Sequence, residues 1–249
     1  MNLVDHLMMF LLAVALPVAG VWSFRRFARQ IEAGEPSDRI AMCRQTLLVQ
    51  WSTFTILVLA WLAFRRPFAD LGLVAAGGAG FFAGLLLLVP LLYWLVRAWR
   101  GARVADAGER AKFASELGLL QHFLPNTRES YRCFVGVSIT AGIVEEIAYR
   151  GFAFWYFAHY LPPWAVVFVT AIAFGLGHLY QGIANALRVT LGGIAFGAYY
   201  LLTDSIWLPI VTHMLVDLLQ GAMVYEYLRE RPSSSAHEPA PAELPARRD

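Results

Sequence analysis

Long apolar runs, one after another and nearly free of charge, constrain this chain more than any other feature it has. A helix needs about 20 apolar residues to cross a hydrocarbon core of about 30 Å. In lipid every backbone N–H and C=O must be satisfied within the segment, so such runs cross as helices. Seven can be drawn, roughly at 7–24, 47–64, 71–96, 131–160, 163–181, 186–203 and 206–228. Charged residues are 15% of the 249, where a soluble domain carries about a quarter. The expected fold is therefore all-α: a polytopic transmembrane helical bundle of about seven spans. A net charge of +2 gives no reason to expect a nucleic-acid partner. The first run lacks a basic leading region, so it reads as a retained helix rather than a signal peptide. Cys43 and Cys133 show no metal or redox spacing, and no disulfide framework is expected.

The arginines orient the bundle. They crowd the 25–46 and 97–132 connections and the C-terminal tail, whereas the opposite side carries only Arg65 and Arg66; Lys112 is the only lysine. The positive-inside rule then puts the N-terminus outside and the C-terminus in the cytoplasm of a multi-pass inner or plasma membrane protein. Phe113, Leu117, Leu120 and Leu124 form an amphipathic stripe, which predicts an interfacial helix on the cytoplasmic surface. Asn126 with Glu129 is a candidate cap for the fourth span. Pro17 and Pro90 lie inside spans and are expected to kink them. The spacings Gly80–Gly84 and Gly193–Gly197 permit close helix approach, and packing is their first explanation. The chain divides into N-terminal helices with the amphipathic connection (1–130), a core (131–228) and a Pro/Ala/Ser-rich tail (229–249) expected to be disordered.

Within the fourth span stands GIVEEIAYRGFAFW. A charged side chain at mid-membrane costs about 2.5–3.5 kcal/mol on insertion scales, so Glu145, Glu146 and Arg150 require a reason to be there. Glu146 and Arg150 are four apart, on one helix face, and within pairing reach. Glu145 is turned about 100° away and is expected to be the freer carboxylate, facing water. A packing ion pair alone would explain Glu146 and Arg150. Two later spans add histidines. His178 ends Phe174-Gly-Leu-Gly-His178, where Gly175 and Gly177 would let backbone approach the imidazole. His213 and Asp217 are four apart, a spacing at which a carboxylate can hold an imidazole in one tautomer. His6, His122, His159 and His237 occupy terminal or interfacial positions.

Together Glu145-Glu146-x-x-x-Arg150, Phe174-x-x-x-His178 and His213-x-x-x-Asp217 resemble the three ordered motifs of the CPBP intramembrane proteases. That family, also called Abi or CAAX-protease-like, includes type II CAAX prenyl proteases and bacteriocin-processing or self-immunity proteins. The resemblance covers roughly 131–225. It implies a membrane-embedded peptidase in which Glu145, helped by His178, activates water. Glu146 and Arg150 would organise the site, and His213 with residue 217 would stabilise the oxyanion. The CAAX enzymes typically carry Asn at that last position; Asp217, when ionised, cannot donate a hydrogen bond.

Two mechanisms stay open on this reading, one with zinc held by the histidines and a carboxylate, the other metal-free. No HExxH is present. The expected partners are membrane lipid and a peptide or protein substrate, lipid-modified or not. An arginine-rich, lysine-poor composition points to a GC-rich bacterial genome and so toward a bacteriocin leader or membrane-anchored peptide. A non-enzymatic scaffold or immunity protein, and a transporter or proton relay, are the competing classes. Helix counting sets His178 nearer the cytoplasmic end than Glu145 and His213 nearer the outer end, so convergence requires tilted helices.

Overall fold

The computed structural model describes residues 1–75 and 77–229; the tail expected to be disordered, His237 included, lies outside the described residues but for Arg229. Among the described residues the chain is helical, with no strand. We number eight helices. α1 is Leu3–Glu32, α2 Arg39–Ala63, α3 Gly78–Val104 and α4 Ala107–Leu117. α5 runs as Arg128–Glu146, a π-helical stretch Ile147–Ala153 and a last turn Phe154–Ala158. α6 is Pro163–Gly177, α7 Ile183–Thr203 and α8 Trp207–Leu228. Among the described residues α1, α2, α3, α7 and α8 are long and apolar enough to cross a membrane. α6 is apolar but shorter, and α5 carries Glu145, Glu146 and Arg150.

Packing is built around α5 and α8, which lie against each other. α5 also packs on α2, α8 on α3, and α6 pairs with α7. Small residues make the α6–α7 and α3–α7 approaches possible. A Cβ on Gly193 would meet Ala171 at 3.1 Å, and one on Gly80 would run into the Leu202 carbonyl. Apolar side chains gain no water release by leaving lipid, so close backbone packing of this kind has to carry the association. The outward surface is correspondingly apolar: Leu86, Leu191 and Phe82 are all largely exposed. Exposed Trp22 and Trp94 mark the arginine-rich end and Trp164 and Trp207 the other, as aromatic side chains do at membrane interfaces.

Several local expectations change. The cap of α5 is Thr127, not Asn126: its hydroxyl accepts from the Ser130 N–H, and Ser130 Oγ accepts from the Thr127 N–H in return. A hydroxyl pair closes that box in place of the expected glutamate. The amphipathic stripe does not run through one helix. α4 stops at Leu117 because Gly118 takes φ +53°, and a 3₁₀ turn follows over Gly118–His122. α4 nevertheless docks, with Phe113 stacked on Tyr227 at 4.2 Å and the Arg110 guanidinium donating to the Glu226 and Arg229 carbonyls at the end of α8. Pro17 follows a π-helical stretch, Leu11–Ala15, that widens α1 just where a proline would otherwise crowd the preceding turn.

The cysteines also depart from expectation. Cys43 of α2 and Cys133 of α5 form a disulfide, their Cα atoms 6.3 Å apart across a sequence separation of 90. Spacing along the chain carries no sign of this, because the contact is made by two helices running side by side.

Candidate active site

Glu145 and Glu146 end the regular part of α5, immediately before the helix widens into its π-helical stretch. Neighbouring positions on one helix face in different directions, and here that rotation separates two carboxylates into different environments. Glu146 is fully buried, and its Oε1 accepts from Arg150 Nη1 at 2.9 Å and from His213 Nδ1 at 2.7 Å. Glu145 keeps 21% of its side chain exposed, and its Oε1 accepts from the Gln50 side-chain amide of α2 at 2.9 Å.

Arg150 ties three helices. Beyond Glu146 it donates to the Gly193 carbonyl of α7 at 3.2 Å, and its guanidinium lies 4.8 Å from the Phe174 ring of α6 and 5.4 Å from Phe196 of α7. A guanidinium over aromatic faces gains electrostatic attraction without water, which suits a side chain only 2% exposed. Phe174 is the hub of the site. Its ring contacts Tyr149 at 5.0 Å, His178 at 4.8 Å and His213 at 6.2 Å.

His213 is held differently from expectation. Its short contact is with Glu146 from the facing helix, while Asp217, one turn along α8, lies 3.7 Å from Nε2, beyond hydrogen-bond distance. A carboxylate can only accept, so Nδ1 carries the proton and donates to Glu146, and Nε2 is left without a short partner among the described residues. That Nε2 sits between two carboxylates, 3.9 Å from Glu145 and 3.7 Å from Asp217. His178, which caps the end of α6, places Nδ1 3.0 Å from the Phe174 carbonyl. By the same reasoning Nδ1 donates there, and in the neutral ring Nε2 keeps its lone pair. Its glycine neighbours do not serve the imidazole. A Cβ at Gly175 would strike Thr190 of α7, and one at Gly177 would touch the Tyr149 hydroxyl.

The helices therefore bring Glu145, Glu146, Arg150, His213 and Asp217 together. His178 joins them through Phe174, with no hydrogen bond or ion pair to Glu145 among the described residues. Sequence reasoning missed Gln50, although a lone amide in the apolar run LLVQWSTFTILVLAW is a signal in its own right, because a buried amide needs a partner. Among the described residues no three His, Cys, Asp or Glu side chains are gathered in the way a metal ion requires.

Residues 128–219 match the family model described as Rce1-like: Type II CAAX prenyl endopeptidase Rce1-like. Neither a curated protein nor a solved structure matches the chain. The matched stretch begins at the start of α5 and ends inside α8 just after Asp217. It contains every charged and imidazole group of the cluster, and leaves out Gln50. Over residues 128–219 this multi-pass membrane protein, with several apolar helices around that stretch, is similar to the Rce1-like type II CAAX prenyl endopeptidases, a protease family consistent with the CPBP resemblance.

Proposed function

We propose that this chain is an intramembrane endopeptidase that hydrolyses a peptide bond near the membrane with water activated by Glu145. One observation carries the reading: two adjacent carboxylates are divided between opposite conditions. Glu146 is sealed and spent on Arg150 and His213, whereas Glu145 is accessible and lies beside the free edge of His213. The Glu145 carboxylate takes a proton from water, and the water oxygen bonds to the scissile carbonyl carbon. The carbonyl π pair moves onto oxygen. His213, in its imidazolium form, donates Nε2–H to that oxyanion, while Glu146 holds Nδ1 and keeps the ring in place. Collapse breaks the C–N bond, and the proton on Glu145 passes to the leaving nitrogen. His178 Nε2 is left as an acceptor for the water or for the substrate amide.

The proposed substrate is a membrane-anchored peptide or protein, and the family name makes a prenylated CAAX peptide the first probe. The arginine distribution supports a C-terminus in the cytoplasm and an N-terminus outside. The test is cleavage of quenched peptides, farnesylated and unmodified, by full-length protein in proteoliposomes. Glu145→Gln is expected to lower kcat by about 10²–10⁴-fold, the usual worth of a positioned general base, with insertion and thermal unfolding unchanged. Full activity in that variant would remove the reading. A phenotype in the host that persists in Glu145→Gln would favour the non-enzymatic scaffold, for which the buried Glu146–Arg150–Gly193 tie between helices would suffice.

A further inference from the structure

The family match starts at residue 128, yet the short hydrogen bond to the proposed base comes from a helix far upstream. Gln50 lies inside α2, with apolar neighbours on both sides in sequence. Its Nε2 donates to Glu145 Oε1 at 2.9 Å, across a separation of 95 residues. A carboxylate accepts only, so the orientation of the amide is set: nitrogen toward Glu145, oxygen on the other side of the same planar group. That oxygen, Gln50 Oε1, is buried and accepts no hydrogen bond from the described residues. A buried acceptor left unpaired costs free energy, and here it lies next to the accessible glutamate of the cluster.

Peptide hydrolysis supplies the missing donor. A water molecule has two O–H bonds, and a general base takes only one proton; the second needs an acceptor if the oxygen is to be aimed. His178 makes no hydrogen bond or ion pair with Glu145 among the described residues, whereas the Gln50 amide bonds to it directly. The placement of α2 is also secured independently of the site. Cys43 lies about two helical turns before Gln50, on the same side of α2, and its disulfide to Cys133 fastens that helix to α5.

We propose that Gln50 is a positioning residue of the active site: its Nε2 fixes the Glu145 carboxylate, and its Oε1 receives the second O–H of the water that Glu145 deprotonates. The proposal rests on the peptidase reading and extends the site onto α2, outside the matched domain.

The experiment compares wild type, Gln50→Leu and His178→Ala as full-length protein in proteoliposomes, with the quenched farnesylated and unmodified peptides as probes. Leu nearly matches the volume of Gln and suits an apolar helix, so folding is retained, checked by the melting temperature. Gln50→Leu is expected to lower kcat by about 10- to 100-fold, the loss of a hydrogen bond to a charged group, with KM within about twofold. A merely structural residue would not split the constants in this way. Isotope-edited infrared spectra with ¹³C-labelled glutamate give a readout that needs no substrate: the carboxylate band lost in Glu145→Gln should shift in Gln50→Leu. If wild type cleaves and Gln50→Leu matches it in kcat, or the Glu145 band does not move, the proposal is overturned while the peptidase reading stands. If wild type cleaves neither probe while the band still shifts, Gln50 holds Glu145 but the peptidase reading, and with it the role toward water, is overturned.

Discussion

Asp5–Arg66 and Glu146–Arg150 are both arginine–carboxylate pairs with a buried carboxylate, and they differ in what they leave unsatisfied. Asp5 of α1 meets Arg66, just beyond the end of α2, through both oxygens, Oδ1 to Nη1 at 2.6 Å and Oδ2 to Nη2 at 2.8 Å, and Oδ2 also accepts the Asn2 N–H at 2.8 Å. The guanidinium is covered by Trp155 at 4.5 Å, Phe64 at 5.0 Å and Trp61 at 5.2 Å. Both carboxylate oxygens are in use, and aromatic rings cover the cation. Glu146–Arg150 is instead one-armed. A single oxygen serves both Arg150 and His213, Oε2 is buried without a hydrogen-bond partner among the described residues, and Glu145 and Asp217 stand beside it partly exposed. A saturated pair can only hold the fold together. An unsaturated one, with groups left over that carry charge and reach water, is how a site looks when its chemistry needs those groups free.

The comparison breaks first when one member of each pair is removed. Arg150→Met takes the guanidinium from buried Glu146, which is expected to cost about 3–5 kcal/mol of stability and nearly all cleavage, because the carboxylate that holds His213 loses its own anchor. Asp5→Asn is expected to lower stability while leaving kcat unchanged, since among the described residues neither Asp5 nor Arg66 bonds to a charged or imidazole group of the cluster. Denaturant titration in detergent, paired with peptide cleavage, reads both. Loss of kcat in a folded Asp5→Asn protein would show that the saturated pair also serves the site, and the distinction drawn from saturation would fail.

Which of these pairs is legible in the sequence follows from geometry. Glu146 and Arg150 are one turn apart, and helix periodicity alone predicts their contact. Asp5 and Arg66 are separated by 61 residues, Gln50 and Glu145 by 95 and the two cysteines by 90. These contacts depend on which helices lie side by side, and no local spacing records that. His213 shows the limit most clearly. Its i+4 neighbour Asp217 is the partner that periodicity predicts, yet the facing helix offers Glu146 in better geometry, and the tertiary contact wins. The order of apolar runs, by contrast, is readable, because lipid demands long apolar helices wherever a chain crosses it.

α2 joins the two regions, with Arg66 just past one end, Gln50 within it and Cys43 near the other. Reducing the Cys43–Cys133 disulfide, or replacing Cys43 by Ser, is expected to cost about 2–4 kcal/mol and to loosen the site end of α2 while the Asp5–Arg66 end stays fastened. Hydrogen exchange by mass spectrometry under oxidising and reducing conditions would locate the change. The orientation proposed above puts this bond on the cytoplasmic side, where thiols are commonly kept reduced. Alkylation of intact cells before lysis reads the bond directly: a pair protected until reductant is added is expected, and a fully alkylated pair would show that the bond is not kept in the cell.

The smallest expected effect concerns Asp217, the one motif position where the chain departs from the Asn typical of CAAX enzymes. At 3.7 Å from His213 Nε2 its carboxylate makes no hydrogen bond, so removing the charge should cost little orientation. The Asp217→Asn substitution would add an N–H donor next to the nitrogen proposed to face the oxyanion. One neutral hydrogen bond is worth about 0.5–1.5 kcal/mol, so Asp217→Asn is expected to raise kcat by about 2- to 10-fold without changing stability. A fall in kcat would mean that the Asp217 carboxylate acts on His213 across that gap, and that unsaturation at this site extends to a third carboxylate the reaction requires.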